Sequence, residues 1–302
     1  MSTKNEILLE SGTNEFELIE FILRKRSYGI NVAKIREVIE KPDEIYPVPK
    51  THPCMQGVTN IRDEIISIIN LKNFLNMEKE DDTAKEKVII TEFNNLKMGF
   101  IVDSVTRIYR LSWENVTAPD LSVSGGNAYI TSIVKLDKKI ILMLDFEKIV
   151  MEINQFNDLK EAPNIKRDES RSNYHIVIAE DSTTIRNMMK KNLSEAGYRL
   201  TDFSNGKEAY DYVIENKDKI DLLITDIEMP QMDGYSLTKQ IKSNRMYSHI
   251  PVVIFSSLIS PDIRKKGDAV GADAQITKPE LAYLLEIVDE IISKLSKKKI
   301  RP

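Results

Sequence analysis

LLITDIEMPQMDG, residues 222–234, is the stretch of sequence that decides the fold of the second half of the chain. The apolar residues Leu222–Ile224 are too few for a helix and are typical of a strand that is buried on both faces. Asp226 ends this strand, Met229-Pro230 stops it, and Asp233-Gly234 favours a turn into a helix. Ligands bind at the carboxyl ends of strands in open parallel sheets, so Asp226 is a candidate for chemistry. A lone aspartate more often only ends a strand, and the interpretation therefore depends on its neighbours.

The sequence around this stretch alternates between short apolar strands and amphipathic helices, from Tyr174 to about Ser296. Strands are predicted around residues 175–179, 199–203, 222–226, 250–255 and 274–277, and a helical pattern follows each of them. This alternation predicts an α/β domain with a doubly wound parallel sheet of the flavodoxin-like type.

Charged and hydroxyl side chains stand at the carboxyl ends of four of these strands. They are Glu180, Asp181, Asp226, Ser256 and Lys278. Three carboxylates in one crevice repel each other unless a hard cation lies among them, and oxygen ligands at an open site favour Mg²⁺. A lysine and a hydroxyl close by suit a phosphoryl group, and Asp226 could then act as a nucleophile that forms an acyl phosphate. The alternative is a flavodoxin-like domain with incidental charges at its loop ends.

This set of residues, together with Met229-Pro230 and Asp233-Gly234, resembles the response-regulator receiver domain over residues 174–296. The resemblance implies that Asp226 accepts a phosphoryl group. It also implies that Ser256 is the switch hydroxyl and that Lys278 is the lysine of the phosphorylation site.

The receiver resemblance also implies how a metal ion is held. Mg²⁺ would be bound by Asp181, Asp226 and the backbone carbonyl of Glu228, with Glu180 assisting. One position departs from the family pattern, because Gln275 stands where the family often has Tyr or Phe. An aromatic side chain therefore cannot act as the switch at that position.

The first half of the chain has a different pattern, with many short strands and frequent turns. Residues 15–32 predict a β-hairpin, whereas residues 33–40 have a helical spacing with Ile35, Val38 and Ile39 on one side. Further strands are predicted at residues 57–61, 65–71, 88–93, 97–102, 105–111, 129–136 and 140–144, and a final helix at 146–153. Such a pattern predicts a small all-β barrel or sandwich.

Several motifs in this half resemble the CheW-like adaptor domain of bacterial chemotaxis, over about residues 12–155. The motifs are Tyr28–Val32, Lys34–Val38, Gly57–Arg62 and Val102–Val105. The resemblance implies two small SH3-like β-barrels without enzymatic activity, in a protein that bridges chemoreceptor tips and the histidine kinase CheA.

The resemblance also carries two partner-binding residues over by position. Ile35 and Arg62 would face the receptor tip. Asp63 stands where the family often has Gly, which leaves the geometry of the turn after Arg62 open.

The two halves are separated by the polar stretch QFNDLKEAPNIKRDESRSN, residues 155–173, whose few apolar residues show no periodicity. Such a composition predicts a flexible, exposed linker. We therefore expect an adaptor domain at residues 12–155, a linker at 156–173 and a receiver domain at 174–296.

Composition excludes several classes of protein. With 41% hydrophobic and 30% charged residues, the 302-residue chain suits soluble globular domains, and a net charge of −4 gives no global attraction to nucleic acid. The longest apolar runs are too short to cross a bilayer, and the first ten residues do not resemble a signal peptide. A single cysteine excludes a disulfide within the chain and a thiolate metal site. We therefore expect a cytoplasmic protein without direct membrane insertion.

An adaptor domain followed by a receiver domain resembles the arrangement of the CheV family of chemotaxis coupling proteins. The resemblance implies a phosphorylatable scaffold that couples chemoreceptors to CheA at membrane-bound receptor arrays, where phosphorylation either modulates coupling or drains phosphoryl groups. One alternative is a response regulator whose output is transcriptional or is another protein-binding event outside chemotaxis, although no helix-turn-helix pattern is present. Another is an enzyme regulated by a receiver, although the first half contains no recognisable catalytic constellation.

Overall fold

The computed structural model describes residues 14–78, 85–93, 96–117, 119, 129–136, 139–155, 166–257, 261–278 and 281–299. These residues form two compact units. One is an all-β unit built mostly from the first half of the chain, and the other is an α/β unit built mostly from the second half. Among the described helices, none is long and apolar enough to cross a membrane.

The all-β unit contains eleven strands and two helices among the described residues. The strands are β1 (Glu15–Leu23), β2 (Arg26–Asn31), β3 (Ile35–Glu40), β4 (Met55–Ile61), β5 (Glu64–Asn70), β6 (Lys87–Phe93), β7 (Leu96–Val102), β8 (Ser104–Ser112), β9 (Val116–Thr117), β10 (Ile130–Leu136) and β11 (Lys139–Leu144). The helices are α1 (Leu71–Phe74) and α2 (Phe146–Gln155).

The strands form two sheets, one with the order β8-β1-β2-β11-β10-β9 and one with the order β3-β6-β7-β5-β4. The five-stranded sheet curls on itself and brings β3 close to the β4–β5 hairpin, where Arg36 lies 3.4 Å from Glu64 and Arg62 lies 2.8 Å from Glu37. Ile66, Ile68 and other apolar side chains fill its interior. The prediction of two SH3-like β structures is confirmed.

A shared apolar core joins the two sheets. Phe21 of the first sheet and Phe100 of the second both make edge-to-face contacts with Phe146 on α2, with centroid distances of 6.1 and 4.9 Å. Cys54, the single cysteine, is also buried in this core. Helix α2 therefore holds the two sheets together through its apolar face.

The helix predicted for residues 33–40 is wrong. A 3-10 turn at Val32–Lys34, capped by the Asn31 side chain, is followed by strand β3, which pairs antiparallel with β6. The register of this pairing shifts between Ile35 and Glu37, as at a β-bulge. A bulge adds one residue to the strand, so the apolar residues lose their period of two and imitate helical spacing.

The α/β unit contains five parallel strands and five helices among the described residues. The strands are β12 (His175–Ala179), β13 (Arg199–Phe203), β14 (Leu222–Thr225), β15 (Val252–Ser256) and β16 (Ala274–Thr277). The helices are α3 (Thr183–Ala196), α4 (Gly206–Asn216), α5 (Gly234–Ser243), α6 (Pro261–Val270) and α7 (Leu281–Lys299).

The sheet of this unit has the order β13-β12-β14-β15-β16, with all neighbours parallel. Helix α3 packs against α7, whereas α4, α5 and α6 pack in a row. The predicted doubly wound fold is confirmed. The direction of winding reverses between β12 and β14, so the crevice for a ligand is expected at the carboxyl ends of these two strands.

The end of the predicted linker is folded onto the α/β unit. Glu169–Asn173 forms a 3-10 turn, and the Arg171 guanidinium makes two hydrogen bonds, of 2.9 and 2.6 Å, to the Asp289 carboxylate on α7. Tyr198 donates to the same carboxylate at 2.5 Å, and Arg171 also donates to the Ala196 carbonyl at 3.0 Å. We call Arg171, Asp289 and Tyr198 the Arg171 clamp. The polar stretch at residues 155–173 therefore ends in an ordered segment, although its composition is typical of a flexible linker.

Candidate functional site

The five residues predicted to share a crevice lie at one edge of the parallel sheet. Glu180 and Asp181 follow β12, Asp226 follows β14, Ser256 ends β15, and Lys278 follows β16. Parallel strands bring their carboxyl ends to one side, and the Glu180, Asp181 and Asp226 carboxylates each offer an oxygen within 4.8 Å of the others. Four of the five residues are buried, and Asp181 is partly exposed.

Lys278 lies between two of the carboxylates. Its Nζ is 2.8 Å from Glu180 Oε2 and 3.1 Å from Asp226 Oδ2, and all three side chains are at most 4% exposed. Burying charges is costly unless they are paired, and the described ion pairs of Lys278 reach two of the three clustered carboxylates. The excess of negative charge and the all-oxygen set of donors suit a hard divalent cation such as Mg²⁺.

The Asp226 side chain is oriented by the backbone around it. Its Oδ1 accepts a hydrogen bond from the Ile227 N–H at 2.7 Å, and its own N–H donates to the Ala179 carbonyl at 2.8 Å. A Cβ at position 234 would lie 1.9 Å from the Asp226 carbonyl oxygen, so only glycine fits there. The Asp233-Gly234 pair that suggested a turn in the sequence therefore also fixes the backbone of Asp226.

The loop that carries Glu180 and Asp181 is held at several points. Glu180 Oε1 accepts from the Ser182 N–H at 3.1 Å. Arg186 Nη1, one turn into α3, donates to the backbone carbonyls of Glu180 at 2.6 Å and Asp181 at 3.2 Å. The sequence prediction missed Arg186. A signal was present, because a cation near a helix N-terminus opposes the helix dipole and calls for a compensating interaction.

Glu228 and Asp233 bring further acidic groups to this edge. Glu228 is buried, but its carboxylate is not one of the three whose oxygens lie within 4.8 Å of one another. The receiver resemblance implies that Glu228 contributes its backbone carbonyl, not its side chain, to metal binding. Burial raises the pKa of Asp233, which caps α5 by accepting from the Ser236 N–H at 2.7 Å. Burial raises the pKa of the Tyr235 phenol as well, and the charges of Asp233, Glu228 and Asp226 raise it further.

Ser256 and Gln275 lie on the two strands beyond Asp226. The Ser256 carbonyl accepts from the Lys278 N–H at 3.1 Å. Gln275 Nε2 donates to the Arg264 carbonyl and to Asp268 Oδ1 of α6, both at 2.8 Å. Gln275 is thus tied to α6 by hydrogen bonds, in the place where the sequence excluded an aromatic switch.

The two residues predicted to face a receptor lie in the all-β unit. Arg62 is 80% exposed at the turn between β4 and β5 and pairs with Glu37 of β3. Ile35, on the same strand β3, is partly buried against the shared core. Arg62 and Asp63 have φ angles of +52° and +66°, so the turn is of type I′ although neither residue is glycine.

Comparison with known proteins covers both units. The family described as "CheW-like domain" matches residues 17–154, and the family described as "Response regulator receiver domain" matches residues 176–289. Chemotaxis protein CheV3 of Helicobacter pylori is 30% identical over 312 residues, which is 97% of this chain and 98% of that protein. Chemotaxis protein CheV2 of the same organism is 27% identical, with 88% of this chain and 90% of that protein covered.

The first unit also has relatives that lack a second one. Chemotaxis protein CheW of Thermotoga maritima is 32% identical over 145 residues, which is 48% of this chain and 94% of that protein. The match to CheV3, by contrast, runs through both units. With its CheW-like unit followed by a receiver unit, the chain belongs to the CheV family of chemotaxis proteins.

Proposed function

We propose that this protein is a phosphorylatable scaffold of chemotaxis signalling, which couples chemoreceptors to the histidine kinase CheA and is modified at Asp226. The observation that carries the proposal is Lys278, buried between Glu180 and Asp226 at the edge of a receiver sheet, in a chain that also has a CheW-like unit. The protein itself is not an enzyme: the receiver unit takes the phosphoryl group onto its own side chain.

The acidic residues would hold Mg²⁺, with Asp181, Asp226 and the backbone carbonyl of Glu228 as ligands and Glu180 assisting. When bound, the ion neutralises negative charge on the phosphoryl oxygens. The donor set fits it, because three carboxylates offer oxygens within 4.8 Å of one another and the described ion pairs of Lys278 reach only two of them.

The residues of the chain then divide the work of phosphoryl transfer. An Asp226 oxygen attacks phosphorus while the nitrogen–phosphorus bond of a phosphohistidine breaks, and an acyl phosphate forms. Lys278, which pairs with the Asp226 carboxylate at 3.1 Å, would follow the added negative charge, and the Ser256 hydroxyl would donate a hydrogen bond to the phosphoryl group.

The all-β unit would supply the scaffold. By its membership of the CheW-like family we assign it contacts with CheA and with chemoreceptor tips, with Ile35 and Arg62 on the receptor side. These contacts would bring the protein, as a cytoplasmic component, to membrane-bound receptor arrays. Adaptor residues 12–155 would fold independently of the receiver.

The phosphorylation is tested by transfer from ³²P-labelled CheA. The parent protein should take the label in the presence of Mg²⁺, and Asp226→Asn should not. Asp211→Asn is the control, because Asp211 is exposed on α4 and pairs only with Lys207 among its described contacts. Labelling of Asp226→Asn at the rate of the parent would contradict the assignment.

The scaffold function is tested by reconstituting receptor, CheA and this protein, and measuring receptor control of kinase activity. Parent and Asp226→Asn should both restore that control if the all-β unit couples the partners. A difference between them that depends on phosphorylation supports modulation of coupling, whereas equal coupling with label in the parent alone supports a phosphate sink. No restoration by either protein would contradict the scaffold.

A further inference from the structure

We propose that Arg186 is a positioning residue that holds the Glu180–Asp181 loop in the geometry that binds Mg²⁺. The proposal rests on the proposed function of the receiver site and assigns a task to a residue outside the set of side chains predicted for it. Arg186 donates hydrogen bonds to the backbone carbonyls of both acidic loop residues, Glu180 and Asp181.

The guanidinium of Arg186 connects three parts of the unit. Nη1 donates to the carbonyls of Glu180 and Asp181, at 2.6 and 3.2 Å, and Nη2 lies 3.4 Å from Thr183 Oγ1 at the start of α3. On its other side, Nε lies 3.3 Å from Asp202 Oδ2 on β13. A planar group with five donors suits such a site, because its hydrogen bonds leave in fixed directions.

The loop needs this support because it has left the sheet. The last residue pair of β12 and β13 joins Ala179 to Phe203, and the Glu180 N–H still bonds to the Phe203 carbonyl at 3.1 Å. Beyond that point the carbonyls of Glu180 and Asp181 receive their described hydrogen bonds from Arg186. Without it, metal binding would itself have to order the loop, at a cost in conformational entropy.

The positive charge of Arg186 opposes Mg²⁺ binding, whereas its support of the loop favours it. A positive side chain beside the acidic cluster repels a second cation, so simple electrostatics predicts that its removal tightens Mg²⁺ binding. A positioning role predicts that its removal weakens Mg²⁺ binding. The sign of the change therefore separates the two.

Lys190 provides a matched control on the same helix. It lies one turn after Arg186 and pairs with the same Asp202, at 2.8 Å. This ion pair is the contact described for Lys190, and no described hydrogen bond joins Lys190 to the carbonyls of Glu180 or Asp181. Replacing Lys190 removes the same charge from the same helix but leaves the loop supported.

The test is a calorimetric titration of Mg²⁺ into the full-length protein. Arg186→Gln and Arg186→Lys should weaken binding about 10-fold, as is typical for residues that orient metal ligands, and Lys190→Gln should stay within about 2-fold of the parent. Arg186→Lys keeps the charge but loses the planar guanidinium that reaches the two carbonyls through Nη1 and Asp202 through Nε at the same time. Binding by Arg186→Gln that equals or exceeds the parent's would overturn the positioning role.

A second measurement separates positioning from general loss of structure. Without Mg²⁺, amide exchange at Asp181 and Ser182 should be faster in Arg186→Gln than in the parent, with exchange in β14 and the melting temperature unchanged. Weaker Mg²⁺ binding together with faster amide exchange through the whole sheet would overturn the proposal in favour of a structural role. If Arg186→Gln does not fold, the same two measurements are made on Arg186→Lys.

The two proposals fail in different ways. A parent protein that neither binds Mg²⁺ nor accepts label from CheA would overturn the receiver function and with it the task of Arg186. A parent that does both, alongside an Arg186→Gln variant with unchanged Mg²⁺ affinity, would overturn the task of Arg186 alone.

Discussion

Single buried charges in this protein are held by groups that come from distant parts of the chain. Glu20, on β1 of the all-β unit, is 2% exposed and accepts hydrogen bonds from Lys139, Ser27 and Thr106 at 2.6 to 2.7 Å. Burial by itself would raise the pKa of Glu20, but these hydrogen bonds and the charge of Lys139 outweigh it and lower the pKa to about 2. Strands β1, β2, β8 and β11 thus meet around one carboxylate.

Glu20 should make the stability of the all-β unit depend on pH. Its folded pKa lies below its unfolded value of 4.5, so its contribution is present above pH 4.5 and is lost as the pH falls toward 2. We expect Glu20→Gln to lose on the order of 2 kcal/mol at pH 6 and to converge with the parent near pH 2. Urea unfolding followed by hydrogen exchange in β1 measures this. Glu17→Gln, on the same strand, is the control, and a constant difference across pH would contradict the prediction.

Sequence reasoning at this scale found the groups that stand at strand ends but not the groups that hold them. Asp226 and Lys278 could be predicted because the alternation of strands and helices fixes where each strand ends. The partners of Arg186 could not, since they are backbone carbonyls, which any sequence supplies; its place near a helix N-terminus signals only that some compensating contact exists. The hydrogen bonds of Glu20 could not be predicted either, because Lys139 lies 119 residues away from it along the chain.

At the scale of elements, helix α6 is tied to the sheet by a polar contact. Gln275 of β16 donates to the Arg264 carbonyl and the Asp268 carboxylate, and a Cβ at Gly267 would lie 2.3 Å from Gln275 Oε1. The glycine therefore leaves room for the amide to approach the helix. Two hydrogen bonds with good geometry hold α6 in one position more specifically than apolar packing would.

Gln275→Ala should loosen α6. We expect faster amide exchange across residues 263–270 and a smaller difference in exchange between the free protein and the protein with beryllofluoride, because the link from strand to helix is lost. Asp268→Asn should change less, since an amide oxygen still accepts the hydrogen bond. Exchange in α6 that does not respond to Gln275→Ala would show that the contact does not hold the helix.

The elements of the α/β unit could be predicted because each is bounded by local signals such as Gly197 at the end of α3, where φ is +114°. Strand β3 was mistaken for a helix because its bulge near Ile35 depends on pairing with β6, which no local signal reveals. Local reasoning therefore succeeds for elements with capped ends and fails where the partner strand sets the spacing.

At the scale of the whole molecule, the ordered α/β unit begins earlier than the sequence suggested. The Arg171 clamp joins the 3-10 turn before β12 to α7. Gly197 permits this approach, since a Cβ there would lie 2.5 Å from the Asp168 carbonyl. We propose a receiver boundary near Lys166 in place of the expected Tyr174.

Arg171→Ala in the full-length protein should destabilise the α/β unit by about 2 kcal/mol, because it removes charge-assisted hydrogen bonds. Of the described partners of the Asp289 carboxylate, only Tyr198 would then remain. Arg167→Ala is the control, because Arg167 lies in the same segment but is 64% exposed and pairs with the exposed Glu169. Urea unfolding followed by exchange in β12 and β14 measures both. Equal loss in the two variants would place the boundary back at Tyr174.

The buried position of Cys54 makes the thiol chemistry of this protein selective. Burial raises the pKa of Cys54 to about 12, and the side chain is 2% exposed. The thiolate is the reactive species, so electrophiles reach the native sulfur only when the shared core opens. A fluorophore maleimide would therefore label a cysteine introduced on the surface of either unit much faster than it labels Cys54. Because the chain has no other cysteine, the labelling rate of the unmodified protein reports the opening of the all-β unit alone.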